Sequence, residues 1–149
     1  MLTARVYKVR DTAKIPERAH NTDAGIDFFF APIDGVSARL APGQAAILET
    51  GVKMEVPSGY MLQVMNKSGV ASKRQLIVGA CVVDQGYTGE IFVNLHNIGK
   101  DIQIINPGTK LAQGVFIPVA KPEIIQVTDG NIYSQETSRG SGALGSTGL

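Results

Sequence analysis

Apolar and polar residues alternate with a period of two along much of the chain. Val52, Met54 and Val56 are separated by Lys53 and Glu55, and Ile91, Val93 and Leu95 alternate with Phe92, Asn94 and His96. Ile102 and Ile104 flank Gln103 in the same way. Alternation of this kind places every second side chain on one face, so each segment reads as a strand with one buried face. Ala41-Pro42-Gly43, Pro57-Ser58-Gly59, Asn97-Ile98-Gly99 and Asn106-Pro107-Gly108 punctuate the strands and read as turns. No amphipathic stretch of three helical turns occurs. One short helical turn is expected after Ser68, through Val70-Ala71-Ser72-Lys73-Arg74, and a final strand at Glu123-Ile124-Ile125-Gln126-Val127. Many short strands with regular turns predict an all-β protein, a barrel or jelly roll.

Composition narrows the chemistry. With 149 residues the chain is long enough for one self-sufficient core. A net charge of +1 and the lack of a basic run argue against direct nucleic-acid or membrane binding, so an anionic ligand would be held by a few local Lys and Arg side chains. One cysteine, Cys81, excludes an internal disulfide and fits a reducing compartment, and one Cys with two His excludes a zinc finger. No apolar leader and no run long enough to span a bilayer are seen, so a soluble cytoplasmic protein is expected. No fixed-period repeat or second domain is present.

Five polar, glycine-containing islands lie between or beyond the strands. In Ala24-Gly25-Ile26-Asp27, a carboxylate opens a strand and is suited either to capping a turn or to holding Mg²⁺ through water. Asn66-Lys67-Ser68-Gly69-Val70-Ala71 puts a cation, a hydroxyl and free N–H groups ahead of a helical turn, a combination suited to phosphate. Cys81-Val82-Val83-Asp84-Gln85-Gly86-Tyr87-Thr88-Gly89-Glu90 reads as a hairpin turning near Gln85-Gly86. Such a hairpin is suited either to a purely structural turn carrying an Asp, or to a site whose backbone meets a base edge, whose Tyr87 packs on a sugar and whose Asp84 takes a proton from water. The fourth island, Gly108-Thr109-Lys110-Leu111-Ala112-Gln113, places an amide in an apolar stretch. The last island runs from Arg139 to Leu149, with one strong cation, four glycines and three hydroxyl side chains. It has little to bury and many donors suited to phosphate, so on its own it reads either as a frayed terminus or as a phosphate-binding segment.

In order and spacing these islands resemble the five motifs of the trimeric dUTPases, which read roughly AGxD, PRSGxA, GVIDxDYxGE, GxKxAQ and RGxGGFGSTG. This chain reads AGID, NKSGVA, CVVDQGYTGE, GTKLAQ and RGSGALGSTG, from Ala24 to Gly148. The resemblance implies a jelly-roll-like barrel over residues 1–127 and a flexible arm over 128–149. It also implies a homotrimer with active sites shared by three chains, in the cytoplasm or, for a viral protein, the host cytoplasm or nucleus. The implied reaction is hydrolysis of dUTP to dUMP and pyrophosphate with Mg²⁺, which limits uracil in DNA.

Carried over by residue, Asp84 would deprotonate the water attacking the α-phosphorus. Tyr87 would exclude a 2′-hydroxyl, and the backbone from Val82 and Val83 to Tyr87 would read uracil. Lys67, Ser68 and Gly69 would meet phosphate, Gln113 would help place phosphate and water, and Asp27 would bind Mg²⁺ through water. Arg139, Leu144, Gly145, Ser146 and Thr147 would close over the nucleotide.

Four departures stand out. Lys67 replaces an arginine, making a two-pronged contact a point charge. Asn66 replaces a proline, which is expected to loosen the loop. Leu144 replaces an aromatic, removing a ring that would stack on uracil. Cys81 replaces a glycine and its backbone freedom. Two other readings compete: a nucleotide-binding regulatory protein with weak or no turnover, and a dCTP deaminase. The deaminase pattern requires a glutamate where this chain has Asn94.

Overall fold

The computed structural model describes residues 2–130, 132–138 and 140–143. Eleven strands and one helix follow in the order β1 (Val6–Lys8), β2 (Ile26–Phe29), β3 (Ala38–Leu40), β4 (Ala45–Glu49), β5 (Val52–Met54), β6 (Tyr60–Met65), α1 (Ser68–Arg74), β7 (Leu76–Val78), β8 (Val82–Val83), β9 (Phe92–Asn97), β10 (Gln103–Ile105) and β11 (Lys110–Pro118). Every strand pairing is antiparallel. One sheet runs β2-β11-β6-β8 and a second β4-β9-β7, with the two-stranded pairs β1-β5 and β3-β10 beside them. The all-β, jelly-roll-like expectation holds.

The period-two reading places most of the core. Val52 and Met54 are buried in β5 while Lys53 is exposed; Val93 and Leu95 are buried in β9 beneath an exposed Phe92. Leu62 and Val64 of β6, Phe28 of β2 and Leu111 and Ala112 of β11 join them in one continuous core. β2 departs from alternation because all four of its residues are buried, Asp27 among them. The Asn106-Pro107-Gly108 turn closes with Thr109 N–H donating to the Asn106 carbonyl at 3.0 Å, and Gly108 takes φ +82°, a conformation costly for other residues.

Three local expectations change. In β10 the buried residue is Ile105, and Ile102 and Ile104 are about half exposed, so the inward face is the other one. A single-residue slip exchanges the two faces of a strand, and an Ile-Gln-Ile-Ile run cannot specify which phase is inward. Glu123–Val127 forms no strand; Ile124 is 89% and Ile125 70% exposed, and no strand edge among the described residues pairs with them. At 81–90 the turn falls at Gln85-Gly86 as expected, with Tyr87 N–H donating to the Asp84 carbonyl at 3.0 Å. Its arms are not a hairpin, however, since β8 pairs with β6 while β9 pairs with β4 and β7. The chain crosses from one sheet to the other at this turn.

Candidate active site

Two groups of predicted residues form, at different places on the larger sheet. The first is built around Asp27. Strand pairing sets Asp27 opposite Gln113 on β11, and Gln113 opposite Met65 on β6, so the AGID and GTKLAQ islands and the loop before α1 meet in one row. The Gln113 amide Nε2 donates to the Asn66 carbonyl at 3.0 Å. Its Oε1 occupies the space over Gly25, where a Cβ would stand 2.2 Å away, so the glycine of the first island is required by close approach.

Asp27 is 3% exposed and bracketed by two ammonium groups. Lys67 Nζ donates to Oδ1 at 2.8 Å; Lys110 Nζ lies 2.7 Å from Oδ2, out of line for a well-directed hydrogen bond. Burial pushes the Asp27 carboxyl up, but the Lys110 and Lys67 contacts and charges together outweigh it and hold the group below its ordinary value. The Lys110 ammonium is raised, first by its contact with Asp27 and then by that charge. One anion between two cations leaves the cluster at net +1. Among the described residues no three His, Cys, Asp or Glu side chains converge on a point. Asp27, already engaged by two lysines, has no further carboxylate or imidazole beside it to make a direct ligand set among the described residues, whereas the contact with Mg²⁺ through water expected from the resemblance calls for no such set. Lys67 reaches inward to Asp27, so the expected phosphate contact at this position competes with an ion pair.

Ser68 and Gly69 open α1, both exposed. The helix has Lys67 as its N-cap residue, with no side-chain cap among the described residues and no acidic residue in the first turn, so its first-turn N–H groups lack the cap that a side chain usually supplies. Asn66 does not loosen this loop: its Oδ1 accepts from the Val78 N–H at 2.7 Å, tying it to β7. Cys81 is not at positive φ, and its carbonyl accepts from Val64 N–H at 2.7 Å, so the loss of glycine there costs no strain.

The second group lies at the sheet-crossing turn. Val82, Val83, Asp84 and Tyr87 line a recess of about 200 Å³ with Glu90, Ile91 and Phe92. Pockets that enclose a drug-sized ligand usually reach about 300–1,000 Å³, so this recess suits a base and part of a sugar, with any phosphates outside. Asp84 is exposed and Tyr87 is 43% exposed. The Tyr87 hydroxyl donates to the Glu90 carbonyl at 2.7 Å, which fixes the ring beside the recess. A larger cavity of about 400 Å³ lies on another side of Tyr87, lined by Arg5, Tyr7, Lys53 and Glu55 among others, but Asp84 does not reach it.

Sequence reasoning gave no role to Glu90, Lys110 or Arg10, although the first two stand within quoted islands. Their pairing became visible only with the fold. Asn94, at the position the deaminase pattern needs as glutamate, donates to the Ala46 carbonyl at 3.3 Å and accepts from Ala80 N–H at 3.3 Å, holding strands together. Arg139, Leu144, Gly145, Ser146 and Thr147 lie outside the described residues.

The two groups are not adjacent. Asp27, Gln113 and Met65 share a row, whereas Asp84 follows Val83, which pairs with Leu62. Three strand spacings of about 4.8 Å and some four residues of about 3.4 Å put Asp84 on the order of 20 Å from Asp27.

A recess sized for a base, an aromatic ring beside it and cations suited to phosphate place the chain among β proteins built to handle nucleotides. The profile of the dUTPase family matches residues 11–148. Deoxyuridine 5'-triphosphate nucleotidohydrolase of Alkaliphilus metalliredigens is 35% identical over 100% of this chain and 99% of its own. The protein of the same name from Chlamydia trachomatis serovar L2 is 39% identical over 95% of each. Among solved structures, a variant of the Staphylococcus bacteriophage 80alpha dUTPase with dUpNHpp superimposes with a TM-score of 0.89, at 28% identity and full coverage of both chains. A variant of the dUTPase from phage phi11 of S. aureus, whose structure details coordination of a structural Mg(II) ion, gives 0.78 at 30% identity, covering 87% of this chain and 99% of that one. The chain belongs to the dUTPase family. No helix among the described residues is long and apolar enough to cross a membrane.

Proposed function

We propose that this protein hydrolyses dUTP to dUMP and pyrophosphate. The observation that carries the proposal is the recess at the sheet-crossing turn, where the Asp84 carboxylate and the Tyr87 ring border one base-sized space. Uracil enters between β8 and Ile91–Phe92, its edge read by backbone groups near Val82 and Val83. The deoxyribose lies on Tyr87, whose ring leaves no room for a 2′-hydroxyl. Asp84 orients a water and accepts its proton as the water attacks the α-phosphorus, and pyrophosphate departs. A positioned base and preorganised donors are what such a displacement chiefly requires.

The roughly 20 Å between Asp84 and Asp27 supports a site divided between chains. In the proposed homotrimer, the recess of one subunit meets the uncapped start of α1, with Ser68 and Gly69, and the Asp27–Lys67–Lys110–Gln113 cluster of a second. Residues 128–149 of the third, with Arg139, Leu144, Gly145, Ser146 and Thr147, close over the triphosphate. Mg²⁺ is proposed to arrive as the counter-ion of dUTP, held by phosphate oxygens, where it offsets phosphate charge. Asp27 serves there by fixing the two lysines and by meeting the metal through water.

Pyrophosphate release from dUTP, dCTP, UTP and dTTP in the presence of Mg²⁺ tests the proposal. Release from dUTP alone, lost in Asp84→Asn, is expected. Tight dUTP binding without release would overturn the hydrolase reading and favour the regulatory one.

A further inference from the structure

Arg10 and Glu90 make a partly buried two-pronged ion pair beside the recess. The Arg10 guanidinium donates to Glu90 Oε1 at 2.7 Å and Oε2 at 2.8 Å, with side-chain exposures of 17% and 14%. Each partner has a further anchor: Arg10 donates to the Ala31 carbonyl at 2.7 Å, and Glu90 Oε1 accepts from Gly51 N–H at 2.7 Å. One node therefore joins the segment after β1, the segment after β2, the β4–β5 turn and the end of the Asp84–Glu90 loop. Gly51 sits at φ +71°, and a Cβ there would stand 2.5 Å from Ala13 Cβ and 3.1 Å from the guanidinium, so the turn is shaped around Arg10.

The node reaches Tyr87 by two contacts. The Tyr87 hydroxyl bonds the backbone carbonyl of the same Glu90. Gly89 lies against the ring so closely that a Cβ would stand 2.4 Å from the hydroxyl oxygen. Between Val83 and Phe92 the chain forms no strand; its end is tied down at Ile91, whose N–H donates to the Val52 carbonyl at 2.9 Å and whose carbonyl accepts from Thr50, while among the described residues no strand ladder holds Asp84 to Glu90 and sets the height of the ring over the sugar position. A two-pronged Arg–carboxylate contact has the fixed planar geometry to do so.

We propose that Arg10 and Glu90 are positioning residues for Tyr87, and that through this ring they set the discrimination between deoxyribose and ribose nucleotides. The proposal rests on the dUTP reading above. Removing the Glu90 charge loosens the loop ahead of Ile91, the ring gains play, and a 2′-hydroxyl is admitted. Neither residue enters the proton transfer.

The test compares the full-length wild type with Glu90→Gln, Arg10→Lys, Tyr87→Phe and the Glu90→Gln/Tyr87→Phe double variant. The readouts are kcat and KM for dUTP and UTP, calorimetric affinities for dUMP and UMP, and Tm. The expected result is a fall of about 10-fold or more in dUTP-over-UTP selectivity for Glu90→Gln. It should appear in the dUTP-over-UTP ratio of kcat/KM and in the dUMP-over-UMP affinity ratio alike. Arg10→Lys should fall between this and wild type, and the double variant should lose no more than the worse single. A lower Tm with unchanged selectivity in Glu90→Gln and Arg10→Lys would overturn the proposal, as would strictly additive losses. If Glu90→Gln does not fold, Arg10→Lys and Tyr87→Phe carry the test. A wild type that releases no pyrophosphate would sink the hydrolase reading alone, because the dUMP-over-UMP affinity ratio still reports the positioning.

Discussion

Replacing Asp27 by asparagine keeps the shape of the side chain and removes the one anion between Lys67 and Lys110. Asp27 is nearly fully buried, so the amide cannot turn to water, and two ammonium groups 2.8 and 2.7 Å from its oxygens face a neutral group. Breaking a fully buried pair from one side costs about 3–5 kcal/mol. Here the lysine side chains are 29% and 42% exposed and can swing partly into solvent, which reduces the figure. A loss of about 2 kcal/mol is expected, or roughly 4–8 °C in Tm for a chain of this size.

The pH dependence has a fixed sign. The Asp27 carboxyl is held below its unfolded value of 3.8, so its contribution is fully present above that pH and is lost as pH falls through the folded value. Lys110 is raised, so its share persists through neutrality and fades only as pH climbs past the ordinary lysine range. Urea unfolding of wild type and Asp27→Asn, at equal protomer concentration, should show a constant gap from about pH 5 to pH 8 that narrows below about pH 4. A gap under about 0.5 kcal/mol near pH 7, the level of an ordinary surface change, would refute the buried-bracket argument. So would a gap indifferent to acid.

Other expectations are more direct. Asp84→Asn should lower kcat for dUTP by roughly 100- to 10,000-fold with little change in Tm, measured by pyrophosphate release. Asn66→Ala leaves the Val78 N–H without its acceptor and should cost about 1 kcal/mol in urea unfolding; a neutral result would return the loop to the loosened state expected from sequence. Gly25→Ala forces Gln113 off its perch and should lower both Tm and kcat, and a companion Gln113→Ala change should restore most of the Tm. Leu144→Phe restores the ring of the family pattern and should lower KM for dUTP several-fold, about 1 kcal/mol of base stacking.

Much of this was legible in the chain because strands declare themselves by alternation. Val52–Met54, Phe92–Asn97 and the helical turn after Ser68 all fall where the pattern puts them. What escaped depends on partners remote in sequence. Whether Ile104 or Ile105 points inward is decided by pairing with Ala38–Leu40, which no local window contains. Glu123–Val127 has strand composition without an edge to join. At the candidate site, Asp84 and Tyr87 could be singled out because turn and chemistry coincide within one short loop. Lys110 and Arg10 were not, since a lysine or arginine reveals its function only once its carboxylate is placed beside it. Asn66 was misjudged because a proline-to-asparagine change was weighed by backbone freedom alone, whereas the side chain supplies its own anchor.

The pairing of β2 with β11 has a consequence for how the molecule comes into being. Residue 27 meets residue 113, and among the described residues the core strand carrying Phe28 and Phe29 has β11 as its one strand partner, beside a single bridge from Asp27 to Glu17. During synthesis that apolar strand leaves the ribosome long before its partner exists. The nascent chain must carry Phe28-Phe29-Phe30 uncovered while most of the barrel is still being made. The Asp27 bracket is among the last features to close, because Lys110 arrives with β11. A chain stopped short of that strand would keep its recess sequence intact yet present an open, phenylalanine-rich edge to its neighbours.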